Sequence, residues 1–491
     1  MGLAMAVRNK DETNRYVNDL RRFSYSQSQV IKIRFSFLLL GLALLFLFGV
    51  AAAVLGFVVD ERSEALVLVA AAVIGGYMAM NIGANDVANN MGPAVGGKVL
   101  TVTAAVIIAA ICEAAGALLA GGDVVKTVAK GIVTPGETID VAKFQFMMLS
   151  ALLAAALWIN LATMLNAPVS TTHSIVGGVL GGGIGAAGLS VVNWATMSKI
   201  AASWVISPLF GGCIAALLLF FIKKKVLNAD DRLAGARTWV PILVGFMGAA
   251  FTAYMSIKGL KKIMKIEAAD IIFYALIAFV ICWLLSKPFI SKRVANLIDD
   301  SKKQIYTLFN LPLIIGVCLL SFAHGANDVA NAVGPLAAIV STMGDQSEVA
   351  AKVSIPLWVM IIGAFGIALG LALFGPKLIA TVGEKITRLN SPRAYCVALS
   401  SAVTVLIATY FGLPVSSTHI AIGAIFGVGF LREFLEAPKR KNKASLKADV
   451  YRKPRQLVRR RFVFSIAAAW VITVPASAFL SASIYFFLNL L

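Results

Sequence analysis

Charge is scarce in this chain. Only 14% of its 491 residues are Asp, Glu, Lys or Arg, against about a quarter in soluble domains. So little charge excludes a large soluble enzyme and leaves no separate soluble domain to place. Histidine is scarcer still, with three residues, His173, His324 and His419. The five cysteines (Cys112, Cys213, Cys282, Cys318 and Cys396) lie far apart in sequence inside apolar stretches, with no CxxC. That excludes a disulfide framework or a thiolate metal centre, and they read as small buried hydrophobes. A cleavable leader is not expected either. The polar, basic residues 1–33 and the apolar run 35–58 behind them are both too long for one. They read as a cytoplasmic tail, 1–33, and an uncleaved transmembrane helix, 34–58.

What the chain has is apolar length. It is 59% hydrophobic, with a mean hydropathy of +0.85. Runs of about 18 or more apolar residues predict an all-α polytopic membrane protein. Thirteen candidate segments fall near 34–58, 64–90, 99–121, 144–166, 170–190, 199–222, 239–258, 268–286, 310–336, 353–375, 393–412, 415–431 and 462–490. Two of them, 170–190 and 415–431, are short, glycine-rich and open with Pro-Val-Ser. They are read as hairpins or broken helices at a repeat interface, which sets the count at 12–13 spans.

The net charge of +20 sits in short segments between apolar runs. The positive-inside rule accounts for that better than nucleic-acid binding does. Basic segments 1–34, 223–237, 287–303 and 432–461 are expected in the cytoplasm, the last with twelve Lys/Arg against three acids. A chain that starts inside and crosses at every candidate satisfies all four and leaves its C-terminus outside. Lys258, Lys261, Lys262 and Lys265 disagree, because this count puts their loop outside.

The segment Gly83–Pro93, GANDVANNMGP, recurs as GANDVANAVGP at Gly325–Pro335, matching at nine of eleven positions and 242 residues apart. A second pair, PVSTTHSIVGG (Pro168–Gly178) and PVSSTHIAIGA (Pro414–Ala424), recurs 246 residues apart in the same order. The unit 64–222 is therefore expected to repeat as 310–490, with a linker 223–309 holding two helices. The two GANDVAN segments cross in opposite directions in the count above. That predicts inverted repeats, the common plan of secondary transporters, with the substrate at their interface.

On a helix Asn85, Asp86 and Asn89 share a face, as do Asn327, Asp328 and Asn331. A buried carboxylate is costly unless paired, and amide and carboxylate oxygens suit a hard cation such as Na⁺. A polar helix-packing cluster is the plainer alternative, and its recurrence in matched halves speaks against it. Pro followed by Ser and Thr marks a helix start. Two such starts, Ser170, Thr171 and Thr172 with Ser416, Ser417 and Thr418, offer N–H groups, a positive dipole end and hydroxyls to an oxyanion. His173 and His419 form a matched pair that supports these starts or takes part in coupling. His324 stands opposite Ile82 and is read as less central. Glu113 is unpaired as well, because aligning Gly116 with Gly370 puts Ile367 opposite it. Glu113 is read as a coupling residue or as an acid facing a polar cavity. Aspartates beside an anion favour phosphate, which keeps a proton to donate, over sulfate, which keeps none.

Two GANDVAN copies, each followed by PVS[ST]TH, resemble the inorganic phosphate transporter (PiT) family over about 64–490. The resemblance implies a sodium- or proton-coupled phosphate symporter in a bacterial inner membrane, with inverted repeats, usually twelve spans and a homodimeric assembly. It implies that Asp86 and Asp328 contact phosphate and cations. It further implies that Asn85, Asn89, Asn327 and Asn331 help hold Na⁺, that Ser170 to Thr172 and Ser416 to Thr418 bind phosphate, and that no cofactor is needed. Three features depart from the family's plain form: the N-terminal tail with its helix, the single Glu113, and a short linker. The alternatives are a sulfate permease of the same family and a proton-coupled metal–phosphate carrier. More distant are a passive channel and an intramembrane enzyme using Ser170 or Thr171 with His173, for which no GxSG-type elbow is present.

Overall fold

The computed structural model describes residues 36–59, 62–134, 139–165, 169–258, 267–343, 355–385, 389–436 and 460–490. The basic tail 1–33, Lys261, Lys262, Lys265 and most of the basic loop 432–461 lie outside them. The described residues form helices, with one isolated bridge, Val133 to Val192, and no strand.

The helices used below are α1 (Ser36–Phe57), α2 (Arg62–Gly96), α3 (Val102–Ala120), α4 (Val141–Met164), α5 (Thr171–Ala187), α6 (Trp194–Ile222) and α7 (Arg232–Lys258). They continue with α8 (Ala268–Ala295), α9 (Asn310–Val340), α10 (Leu357–Lys385), α11 (Ser391–Tyr410), α12 (Ser417–Glu436) and α13 (Arg460–Leu488). Each predicted apolar segment is one of these helices. Twelve of them are long and apolar enough to cross a bilayer. The thirteenth, α5, has 17 residues, about 25 Å at 1.5 Å per residue, short of a hydrocarbon core of about 30 Å. Neither α5 nor α12 is itself a hairpin. Each is one helix with the chain break at its buried N-terminus, after extended Val169–Ser170 and after the non-helical 413–416.

Two compact units divide the chain, Met1–Gly49 and Val50–Leu491. The first contributes the start of α1, whose Phe37, Leu45 and Phe48 are exposed. The second holds everything that follows.

Within the second unit the repeated segments exchange partners. A Cβ on Gly83 (α2) would collide with the Ile367 carbonyl (α10), and one on Gly325 (α9) with the Glu113 carbonyl (α3). Gly116 meets Phe322 in the same way that Gly370 meets Met80. The sequence alignment made Ile367 the counterpart of Glu113, so these are two copies of one contact. Glycine is required because backbone approaches backbone with no room for a side chain. Likewise Gly177 and Gly181 of α5 face Val474 and Ala478 of α13, while Gly423 and Gly427 of α12 face Pro208 and Gly212 of α6. Each motif helix thus packs against the opposite repeat.

The linker helices α7 and α8 pack on each other through Gly245 against Phe279 and Gly248 against Cys282. No residue in the apolar window of α8 is fully buried. Lys258, the discordant charge, is only 6% exposed. It pairs with Asp123 and donates to the Tyr410 carbonyl at 3.0 Å. A neutralised lysine has no weight in an inside–outside count.

Candidate functional site

The two GANDVAN segments sit in the buried middle stretches of α2 and α9, where every residue from Met78 to Ala94 and from Leu319 to Ile339 is buried. Pro93 and Pro335 lie inside these helices. A proline lacks the N–H that would bond the carbonyl four residues earlier. The Asn89 and Asn331 carbonyls are therefore released from the helix ladder at the motif itself.

The starts of α5 and α12 arrive from the side. Ser170 accepts from the His173 N–H at 3.1 Å, and Ser416 accepts from the His419 N–H at 3.2 Å. These two serines are helix caps, as the Pro-Val-Ser signature predicts. The hydroxyls behind them reach into the site. Thr171 donates to Asp86 Oδ2 at 2.9 Å, Thr418 to Asp86 Oδ1 at 3.2 Å and Ser417 to Asp328 Oδ2 at 2.8 Å. Asp86 therefore accepts from both repeats. Asn89 donates to Thr418 at 2.8 Å and to Asp86 at 3.3 Å. Asn331 donates to Thr172 at 3.1 Å and to Thr171 at 3.4 Å, and Thr172 donates to the Val415 carbonyl at 2.9 Å. Thr172 and Thr418 are repeat counterparts, so the asparagine-to-threonine bond is also made twice.

Asn85 and Asn327 point elsewhere. Asn85 donates to Thr163 at 2.8 Å and Asn327 to Thr409 at 3.0 Å. Asn327 also donates to the Leu413 carbonyl at 3.1 Å and accepts from the Val415 N–H at 3.3 Å. Sequence reasoning missed both threonines. A signal was present, since an Ala-Thr pair ends five residues before each Pro-Val-Ser.

Among the described residues, the buried oxygens without a hydrogen-bond partner include Asn85 Oδ1, Asn90 Oδ1, Glu113 Oε2, Asn331 Oδ1 and Asp328 Oδ1. A buried acceptor without a donor needs an explanation. Carboxylate and amide oxygens such as those of Asp86, Asp328 and Asn331, with the freed carbonyls, are of the hard kind that suits Na⁺.

The largest correction concerns His324, read from sequence as peripheral. It is fully buried among three carboxylates. Its Nε2 lies 2.8 Å from Asp328 Oδ2 and 3.6 Å from Asp86 Oδ2, and its Nδ1 lies 3.1 Å from Glu113 Oε2. The ring N–H directions miss these oxygens, so none of the contacts is an aligned hydrogen bond. Asn90 donates to the other Glu113 oxygen at 2.7 Å. Ionised carboxylates buried this close together repel one another unless a positive charge lies between them. The two residues that break the repeat symmetry are partners of each other.

His173 and His419 also meet, with ring centroids 4.4 Å apart, and His173 stacks on Trp204 at 3.8 Å. His173 Nδ1 is 2.6 Å from Ser170 Oγ. The pair braces the two helix starts against each other.

Comparison with known proteins identifies the family. The profile of the phosphate transporter family matches residues 82–481. A Helicobacter pylori protein assigned as a phosphate permease is 48% identical over 434 residues, 88% of this chain and 81% of its own length. A Thermococcus kodakarensis protein assigned likewise is 36% identical over 84% of this chain and 95% of its own. A solved structure described as the sodium-dependent phosphate transporter superposes with a TM-score of 0.76 at 35% identity, covering 87% of this chain and 100% of that one.

Proposed function

The chain belongs to the phosphate transporter family, and from that premise we propose that it imports inorganic phosphate by sodium symport through alternating access. It is an integral protein of the plasma membrane that transports phosphate, and it is not an enzyme. Sodium as the driving ion is the finer step. It is supported by the buried oxygens of Asn331 and Asp328 that have no hydrogen-bond partner, and by the sodium dependence named for the structural neighbour.

In this reading the cation binds first, between Asp86 and Asp328. A positive charge there competes for the carboxylate oxygens that Thr171, Ser417 and Thr418 now occupy. The released hydroxyls turn their protons to phosphate, between the N-termini of α5 and α12, whose dipoles favour an anion. A protonated phosphate oxygen can also donate to an aspartate, and sulfate has no such proton at neutral pH. Ion binding builds the anion site, and the charge of each solute offsets that of the other. The repeats, inverted in this reading, then rock against each other. A homodimer belongs to the same reading; crosslinking in membranes tests it.

The carrying observation is that Asp86 is held by hydroxyls from both repeats. The test is radiolabelled phosphate uptake into proteoliposomes, under a sodium gradient alone and a pH gradient alone, with excess sulfate. Sodium-driven uptake that resists sulfate and falls at least a hundredfold in Asp86→Asn is expected. An indifferent Asp86→Asn overturns the site. Proton symport is the second reading, and the charge cluster of His324 with Glu113 favours it. Uptake driven only by the pH gradient would select it.

A further inference from the structure

Lys258 ends the linker helix α7 and belongs to neither repeat, yet it is bound to both. Its ammonium pairs with Asp123, in the short helix Gly122–Lys126 that follows α3 in the first repeat. It donates to the Tyr410 carbonyl at 3.0 Å and lies 5.4 Å from the centre of the Tyr410 ring, at the end of α11 in the second repeat. A lysine is almost never fully buried unless it is paired, and this one is 6% exposed. Lys126 reaches the other Asp123 oxygen at 3.7 Å, but from a side chain 62% exposed, where an ion pair holds little. Lys258 is the buried partner of that carboxylate.

The hold continues along the chain towards the site. Thr127 donates to the Gly412 carbonyl at 2.7 Å. Gly412 has a φ of +66°, a conformation that suits glycine, and its turn rests on the first repeat. A Cβ there would lie 3.5 Å from the Thr127 hydroxyl and 3.6 Å from the Asp123 carbonyl. Trp204 donates to the Pro414 carbonyl at 3.3 Å and Thr172 to that of Val415 at 2.9 Å. Ser416 then caps α12, and Ser417 and Thr418 donate to Asp328 and Asp86. The Asp123–Thr127 stretch is itself seated on α9, where Gly121 and Gly334 leave the room that Val329 and Val128 fill. Aligning Gly116 with Gly370 puts Lys377 opposite Asp123, so the acid of this tie is not repeated, and the linker that carries Lys258 occurs once. By charge asymmetry α7 starts from the cytoplasmic segment 223–237 and ends at Lys258, which puts the tie at the outer face.

We propose that Lys258 is a positioning residue for the anion site and, with Asp123, the latch of its outer mouth. The proposal rests on the alternating-access reading above. The latch closes the outer mouth by holding the turn 411–416 to the first repeat. The same hold sets the hydroxyls of Ser417 and Thr418 against the two aspartates. Opening to the outside then requires Lys258 to let go of Asp123, of Tyr410 or of both.

The test reads the mouth separately from transport. Val415→Cys and its repeat counterpart Val169→Cys replace side chains that are 1% and 4% exposed. A membrane-impermeant maleimide is applied without phosphate or an ion gradient, to right-side-out vesicles for Val415→Cys and to inside-out vesicles for Val169→Cys. Labelling is read peptide by peptide by mass spectrometry, so the native cysteines stay in place. Lys258→Met and Asp123→Asn are each expected to speed labelling of Val415→Cys about fivefold or more and to leave Val169→Cys no faster. In phosphate uptake each should raise KM about fivefold or more and lower the maximal rate by less. Elution volume and helicity check folding, and Asp123→Asn decides if Lys258→Met does not fold. Labelling of Val415→Cys that stays unchanged, or that speeds equally at both cysteines, overturns the latch. An unchanged KM overturns the positioning role. Because the labelling needs no coupling ion, it stands even if uptake proves to be driven by protons rather than sodium.

Discussion

Glu113 and His324 allow a test in which the protein supplies its own control. Their repeat counterparts are Ile367 and Ile82, and the counterpart of Asn90 is Ala332. The α2–α10 contact shows the same backbone geometry carrying Ile82 and Ile367 where α9 and α3 carry His324 and Glu113. His324→Ile removes the ring that faces Glu113 and leaves that buried carboxylate with the Asn90 amide as donor. Removing one partner of a buried charge pair costs about 3–5 kcal/mol. Glu113→Ile is milder, because His324 keeps Asp328 and Asp86. It orphans the Asn90 amide, at about 1–3 kcal/mol. Replacing a buried pair by apolar residues of similar size is often neutral. The triple variant Asn90→Ala/Glu113→Ile/His324→Ile makes the second contact a copy of the first and is expected to recover most of the loss. Thermal unfolding in detergent should rank wild type and triple variant above Glu113→Ile, and Glu113→Ile above His324→Ile, with a gap on the order of 5 °C. A triple variant melting below His324→Ile would refute the compensation argument. Uptake by the stable triple variant then shows whether the trio serves coupling as well as packing.

Three further outcomes are expected. Gly83→Ala and Gly325→Ala each force a methyl against a backbone carbonyl and should cost about 1–3 kcal/mol or more. Gly41→Ala, with open space around it, should be neutral or slightly stabilising in the same melting assay. Lys258→Ala removes the ion pair and the tie to Tyr410. It should raise proteolysis or hydrogen exchange in the loop 411–416 while leaving that of α4 unchanged. The Asp140 carboxyl is held below its ordinary range, first by the Lys143 backbone N–H and then by its side chain. Its cap on α4 is therefore fully present above the usual carboxylate pKa and lost as pH falls through the depressed one. Exchange at the start of α4 should accelerate only in that acidic window, and Asp140→Ala should abolish the pH dependence.

Much of this molecule was legible in its sequence because duplication is a strong signal. Each apolar run is a helix, and the paired GANDVAN and Pro-Val-Ser segments meet in one buried cluster. The hidden part came from the same habit of reading. His324 was discounted because nothing matched it, yet an unmatched cation and an unmatched acid can satisfy each other when the fold brings opposite repeats together. No periodicity reports such a contact, since its partners are far apart in the chain. Thr163 and Thr409 were hidden for another reason: a threonine near a helix end is ordinary until the asparagine it accepts from is known. Lys258 misled the topology count because charge-counting assumes that lysines outside apolar cores are solvated.

The exchange of partners between repeats also governs how the protein can be made. A ribosome that has produced residues 1–300 has placed Gly83, Glu113 and the start of α5 in the membrane without α9, α10, α12 or α13. The glycine faces are bare, and the acids have no partner from the second half. The first half is then an incomplete surface that must be shielded from lipid and from other nascent chains until its complement emerges. Separately expressed halves should therefore be unstable alone and rescue each other when produced together.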